Sequence, residues 1–572
     1  MTRHTTHGRC RKVPVVHRIT LSLLTTGLAL LAGCAAIPAH KDDPSSGGHD
    51  PAALTVVAEI ALTRGDCKTA SESYAEAAQH GAIPLARRAS EVALACEHVP
   101  AAWKSAVRWR ALAPGDREAS AMYATVAIKL YKIAEARAAI VDFAKLQKAD
   151  DSSGLSELAG LLLEQSDPPA VLAAMSGALD PAAISPDTDA LLAELALEAN
   201  DAQRAQKYAQ MALDRDPKQF GAKRVLARAY VVRGDSAKAI STAREIMRED
   251  PIRGAFELVE VLVALDRLEE AHQELERLRT TKSSPDEIDR RLALLAFNAG
   301  DLKEAQQRFT EIAGQGISSD AALLYLADIA QRDGDTDAAL AGYRRLADSS
   351  LALEARSKAA SILLTRSKRS EAMLLMDDFV SDHPDSEFQA RLSEARLLSS
   401  HGDAEGGLTL LSAALEKHPK HPAIEYDRAV ILERAGRVKE SVGVLEKLLQ
   451  ERPEDPVLMN ALGYTLAEHN MDLGRAEGLI QKALLATPDS PAVLDSLGWV
   501  RFKQGDSEGA VPELEHAYSL EHDADIAAHW GEVLWASGKH QEARRVWAAA
   551  IARSPDAPLL KATMARFLKD AS

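Results

Sequence analysis

The chain has 572 residues, 46% of them hydrophobic, 27% charged and only 4% aromatic. That mix is too apolar for a disordered protein and too poor in aromatic and β-branched runs for an all-β one. A net charge of −16, with no block of Lys and Arg to offset it locally, excludes a nucleic-acid backbone as partner.

Residues 1–33 read as an export signal, a segment to be removed rather than folded. Arg3, Arg9, Arg11, Lys12 and Arg18 make a long basic start that contains no acid. Residues 19–31 follow as an apolar stretch, about 20 Å long as a helix and short of the ~30 Å hydrocarbon core. Leu31-Ala32-Gly33-Cys34 then resembles the lipobox of bacterial lipoproteins. The resemblance implies that the Cys34 thiol takes a diacylglycerol and becomes the new N-terminus, and more than one acyl chain makes such anchoring stable. Ala35 stands where an Asp usually marks inner-membrane retention, which implies the periplasmic face of the outer membrane. Residues 34–50 hold Pro, Ser, Gly and charges without apolar periodicity. They form a flexible tether with a root-mean-square reach of about 20–25 Å.

Cys10 leaves with the signal, so Cys67 and Cys96 are the two thiols left in an oxidising compartment and are candidates for a disulfide. Their midpoint falls in His80-Gly81-Ala82, a turn between two helices, and residues equidistant from such a turn face each other. The alternative is a pair of small buried hydrophobes in helix packing.

From residue 51 onward one unit repeats. Gly-Asp followed five residues later by a small residue recurs at Gly65-Asp66 with Ala70, Gly234-Asp235 with Ala239, Gly300-Asp301 with Ala305, Gly334-Asp335 with Ala339, Gly402-Asp403 with Gly407, and Gly505-Asp506 with Ala510. Asn200, Gly436 and Gly538 open variants of the same pattern, and Pro217, Pro251 and Pro285 mark a second phase of the same 34-residue period. Gly or Asn ends one helix in a left-handed cap, and Asp starts the next by accepting its free N–H groups. The small residue lets the two helices approach closely, and Pro ends the pair.

This pattern resembles the tetratricopeptide repeat (TPR), whose consensus is matched by Met459, Leu462, Gly463, Leu466, Ala476, Ile480, Ala483 and Pro488. The resemblance implies an all-α, TPR-like superhelical solenoid of about fifteen helix hairpins over residues 51–572. Residues 51–182 are divergent repeats, 183–452 are middle repeats, 453–555 match best, and 556–572 form a capping helix; among the repeats before 453 the turns near Tyr131, Gln165 and Arg366 lack Gly.

No motif asks for a cofactor, a metal or a small-molecule substrate. The Gly-Lys in residues 531–540 lacks P-loop spacing, and His516, His522 and His529 do not form HExxH. The acidic residues 333–337 lack the calcium-loop pattern. An enzyme is not indicated; a surface is. In TPRs, positions 2, 5, 9 and 12 of the first helix line the concave groove. With Gly463, Gly498 and Gly531 at position 8, the groove receives Asn460, Tyr464, Asp495, Trp499, Phe502, Glu532 and Trp535. Aromatic anchors beside polar orienting groups have the makeup of a protein-binding hot spot. The alternative is that Trp499 and Trp535 pack between adjacent first helices. Trp530 and Trp547 fall on core positions and are expected to be buried.

Residues 459–547 (MNALGYTLAEHN, LDSLGWVRFKQGD, IAAHWGEVLWASGKHQEARRVW) and 73–116 also resemble one group of proteobacterial outer-membrane TPR lipoproteins. The characterised member of that group activates a periplasmic carboxyl-terminal processing protease and presents peptidoglycan cross-link hydrolases to it. The resemblance implies a non-catalytic, lipid-anchored adaptor whose partners are proteins of those kinds. An assembly factor for an envelope machine (secretion, pilus or polysaccharide export) is the alternative expectation.

Overall fold

The structure is a computed structural model that describes residues 50–146, 153–179, 185–281, 284–315, 319–554 and 557–568. The export-signal segment, Cys34 and the tether up to residue 49 lie outside the described residues. Within them the chain forms 31 α-helices and one short 3-10 helix, Pro384–Ser386, and no strand. From Pro51–Thr63 to His540–Arg553 the helices run as fifteen hairpins, and Pro558–Leu568 closes the far end. The chain is a TPR-like all-α solenoid. Its apolar residues form a row of clusters along the array instead of one centre, as a stack of nearest-neighbour units requires.

Nearly every hairpin turns on the same backbone device. Gly65, Gly234, Gly300, Gly334, Gly402, Gly436, Gly505 and Gly538 have φ between 70° and 91°, the left-handed region that glycine enters without steric cost. Glu97, Tyr131, Asn200, Asp266, Ser367 and Asn470 occupy the equivalent turns with φ of 52–59°. The hairpin at Gln165 turns without such a residue. At the first turn the Gly65 N–H donates to the Leu62 carbonyl at 3.0 Å and the Asp66 N–H to that of Ala61 at 2.9 Å, closing the helix end. The Asp66 carboxylate then accepts the Thr69 N–H at 3.1 Å and opens the next helix.

Five residues past the turn the helices meet most closely. Ala70, Ala205, Ala239, Ala305, Ala339, Ala510 and Ala543 are all 0% exposed. At Gly407 even a methyl group is too much, since a Cβ would lie 2.7 Å from the Ala395 carbonyl oxygen. Cys67, at the start of the helix Cys67–His80, is disulfide-bonded to Cys96, just past the end of Ile83–Ala95, with their Cα atoms 5.4 Å apart.

The array also touches itself across a full coil. His418 Nδ1 lies 3.0 Å from the Cys96 carbonyl, and His421 Nε2 lies 3.1 Å from Glu97, which is also paired with Lys129. Further along, the Asp489 N–H donates to the Asn200 carbonyl at 2.9 Å, while the Ala202 N–H donates to the Asp489 carboxylate at 2.7 Å. Arg204 donates to the Ala486 carbonyl at 3.3 Å, and Arg553 pairs with Asp266 at 3.3 Å. These partners are 282–324 residues apart in sequence. The stack therefore completes one superhelical turn and rests the next upon it. Burial is the largest influence on Glu97 and opposes its ionisation, but His421 and Lys129 outweigh it and hold the carboxyl at about 2.

The turn device predicts a pair of opposite effects. Ser367, exposed and at φ 59°, gains from glycine: Ser367→Gly stabilises its hairpin by about 1 kcal/mol, whereas Gly505→Ala costs its own about 1–2 kcal/mol. Amide hydrogen exchange of the two hairpins reads both changes.

Candidate protein-binding groove

In the C-terminal part of the array the first helices of successive hairpins touch one another, as Pro456–Glu468, Pro491–Lys503 and Ala524–Ala536 do. They form the inner side. Gly463, Gly498 and Gly531 sit on the other side of these helices, where each first helix packs against the second helix of its own hairpin. A Cβ on Gly463 would lie 2.6 Å from Ile480, one on Gly498 would lie 2.6 Å from Leu514, and one on Gly531 would lie 2.0 Å from the Trp547 indole nitrogen.

The sequence-predicted residues separate into two groups. Asn460, Tyr464, Phe502, Glu532 and Trp535 are half-buried along this inner side. Trp499 and Asp495 are interior, 4% and 8% exposed. Trp499 is thus a packing residue between adjacent first helices and not an accessible anchor. Its ring stacks on His529 at 4.1 Å between centroids, and its indole N–H donates to Glu468 at 2.7 Å. The Lys503 ammonium lies over the same ring at 4.7 Å.

Asp495 is committed as well, with both carboxylate oxygens 3.0 Å from His529 Nδ1. Burial opposes a charge on His529, yet Asp495, with help from Glu468 and Asp525, outweighs it and raises the imidazole above its ordinary value. Glu532 is paired with Arg566 of the capping helix. Trp535 stacks on His540 at 4.3 Å and packs near Trp547 and Phe567. Trp547 is fully buried as expected, but Trp530 is only half-buried, because it lies over Tyr518 at 5.4 Å on the rim of the core instead of inside it.

One repeat earlier lies an open depression of about 420 Å³ lined by Ser393, Arg396, Leu397, Tyr426, Asp427 and Arg434. Arg396 donates to Asp427 at 2.8 Å across it. Sequence reasoning missed this site although its signal was present. Tyr426 stands one 34-residue period before Asn460, in the same groove register. Among the described residues no group of three or more His, Cys, Asp or Glu is placed to hold a metal ion, and His516, His522 and His529 do not converge.

Tetratricopeptide-repeat family signatures match residues 191–251, 392–456 and 321–349. The chain is similar to a TPR repeat-containing protein of Pseudomonas aeruginosa, 27% identical over 213 residues, which is 37% of this chain and 36% of the relative. The match therefore spans about a third of that relative's length. Among solved structures, a thermophilic TPR protein of Thermus thermophilus is 23% identical with a TM-score of 0.30, covering 32% of this chain and 99% of that one. A tetratricopeptide repeat protein of Parabacteroides merdae is 17% identical with a TM-score of 0.32, covering 44% of this chain and 100% of that one. The matched segments carry tetratricopeptide repeats within a TPR-like all-α solenoid, a repeat type that suggests a protein-interaction scaffold.

Two measurements check these assignments. Trp499→Ala opens a cavity in the stack and costs about 3–5 kcal/mol, read as a lower thermal midpoint, whereas a free groove anchor would leave stability unchanged. The His529 titration, followed by NMR of the ring protons, has its midpoint above 6.5. The stabilisation from the Asp495 pair is accordingly full below pH 6.5 and fades as pH rises through the folded-state value.

Proposed function

We propose that this chain is a non-catalytic adaptor, moored by a lipidated Cys34 to the periplasmic face of the outer membrane, that holds proteins along its inner groove. Its partners on this reading are a carboxyl-terminal processing protease and the cell-wall hydrolases that the protease cleaves. The observation that carries the proposal is the run of fifteen hairpins among the described residues from Pro51 to Arg553, joined in sequence to a lipobox-like Leu31-Ala32-Gly33-Cys34. The mechanism is proximity. Two proteins held on one scaffold meet at an effective concentration set by the scaffold, and no chemistry from the scaffold itself is needed.

The groove supplies aromatic surface at Tyr426, Tyr464, Phe502 and Trp535, with Asp427 and Glu532 beside it. Its Arg396 and Arg566 already hold carboxylates, so neither is spare to receive a chain-terminal carboxylate.

Crosslinking in intact cells followed by affinity capture tests the proposal. Recovery of a carboxyl-terminal processing protease is expected, with about tenfold or greater loss for Tyr426→Ala combined with Tyr464→Ala while helical circular dichroism is unchanged. Recovery of secretin or porin-type barrels in place of a protease would overturn it in favour of an envelope assembly factor.

A further inference from the structure

The two ends of the solenoid differ. The terminal helix Pro558–Leu568 shows a mixed exposed side, with Lys561 and Arg566 beside Leu559 at 38% exposure. The first helix, Pro51–Thr63, shows an apolar one. Val56 is 58% exposed, Val57 45% and Ile60 45%, with exposed Ala53 on the same stripe. Glu59 is the helix's one charged residue, and it is engaged by the Tyr74 hydroxyl. An end helix with an apolar outer face has something to cover it.

Three occupants are conceivable, and area and reach separate them. The chain's own residues 35–49 offer Ile37 as their single large apolar side chain, too little to cover the stripe. A second copy would gain only a few hundred Å², well short of the roughly 1,200 Å² that stable interfaces bury. A small apolar face does suffice for a contact already held close by a tether. Asp50, which caps this helix by accepting the Ala52 N–H at 3.0 Å, follows Cys34 by a tether reaching only about 20–25 Å.

We infer that the Val56–Val57–Ile60 face of the first helix rests on the lipid surface itself, as a second, non-covalent membrane contact that orients the solenoid. This rests on the reading of Cys34 as lipidated. A lone acyl tether leaves the body free to tumble. Seating the first helix in the interface, its apolar side about 5–10 Å deep, presents the rest of the stack outward.

The test uses the full lipoprotein purified from membranes and reconstituted in vesicles of phosphatidylethanolamine with phosphatidylglycerol. With Cys67 and Cys96 bonded to each other, Val56→Cys gives a single reactive thiol for an environment-sensitive fluorophore. Leu374→Cys, 60% exposed on a mid-array helix, is the control. Brominated lipids are expected to quench the label at position 56 roughly twofold and leave the control unchanged. An acylated protein whose label at 56 stays as water-exposed as the control overturns the inference while leaving the anchor intact. An intact mass without acyl chains on Cys34 overturns the anchor reading and this inference with it. Shielding of position 56 without vesicles, with a doubled sedimentation mass, assigns the face to a second copy and overturns the lipid contact.

Discussion

The whole stack depends on two helices approaching until only a methyl group, or nothing, fits between them. Ala70, Ala239 and Ala510 supply that contact from the second helix of a hairpin, and Gly463, Gly498 and Gly531 supply it from the first. Close approach fixes the angle within each hairpin, and stacking identical angles generates the coil. It also explains how one of the largest core side chains is housed. Trp547 sits against Gly531, so the repeat accommodates an indole by giving up a Cβ opposite it. A larger residue at any of these points would force apart a contact that every later hairpin inherits.

What could be read from the sequence follows from how local each determinant is. The Gly-Asp turns were legible because the left-handed backbone and the helix cap that follows each leave a residue-type signature. Glu97, Tyr131 and Ser367 adopt the same backbone without glycine, and there only the spacing betrayed the turn. The groove register came from the resemblance to the tetratricopeptide repeat, which assigns positions along the first helix, and not from the residues' own chemistry. The fate of Trp499 was not legible. Its burial needs Glu468 from the preceding hairpin and His529 from the following one, and neither partner is encoded near it. Trp530 misled for a similar reason, because a core position near the end of a stack has fewer neighbours to cover it. The contacts between His421 and Glu97 and between Asp489 and Asn200 join residues too distant for any pattern to link.

The inner surface accordingly has two layers with separate tasks. Trp499, His529 and Asp495 lock adjacent helices, while Tyr426, Tyr464 and Phe502 lie closer to the surface. This division lets the exposed layer vary without loosening the stack. It is the physical sense in which a repeat scaffold keeps its fold while changing what it holds.

The resting of one coil upon the next gives the molecule the character of a close-wound spring. Its pitch is not set by hairpin angles alone, because His418 and His421 bear on the very loop that the Cys67–Cys96 bond fastens. Oxidation thus stiffens not only the first hairpins but the bearing surface for hairpins more than three hundred residues downstream. A guest admitted along the bore leaves the windings in contact, whereas one entering from the side must prise them apart.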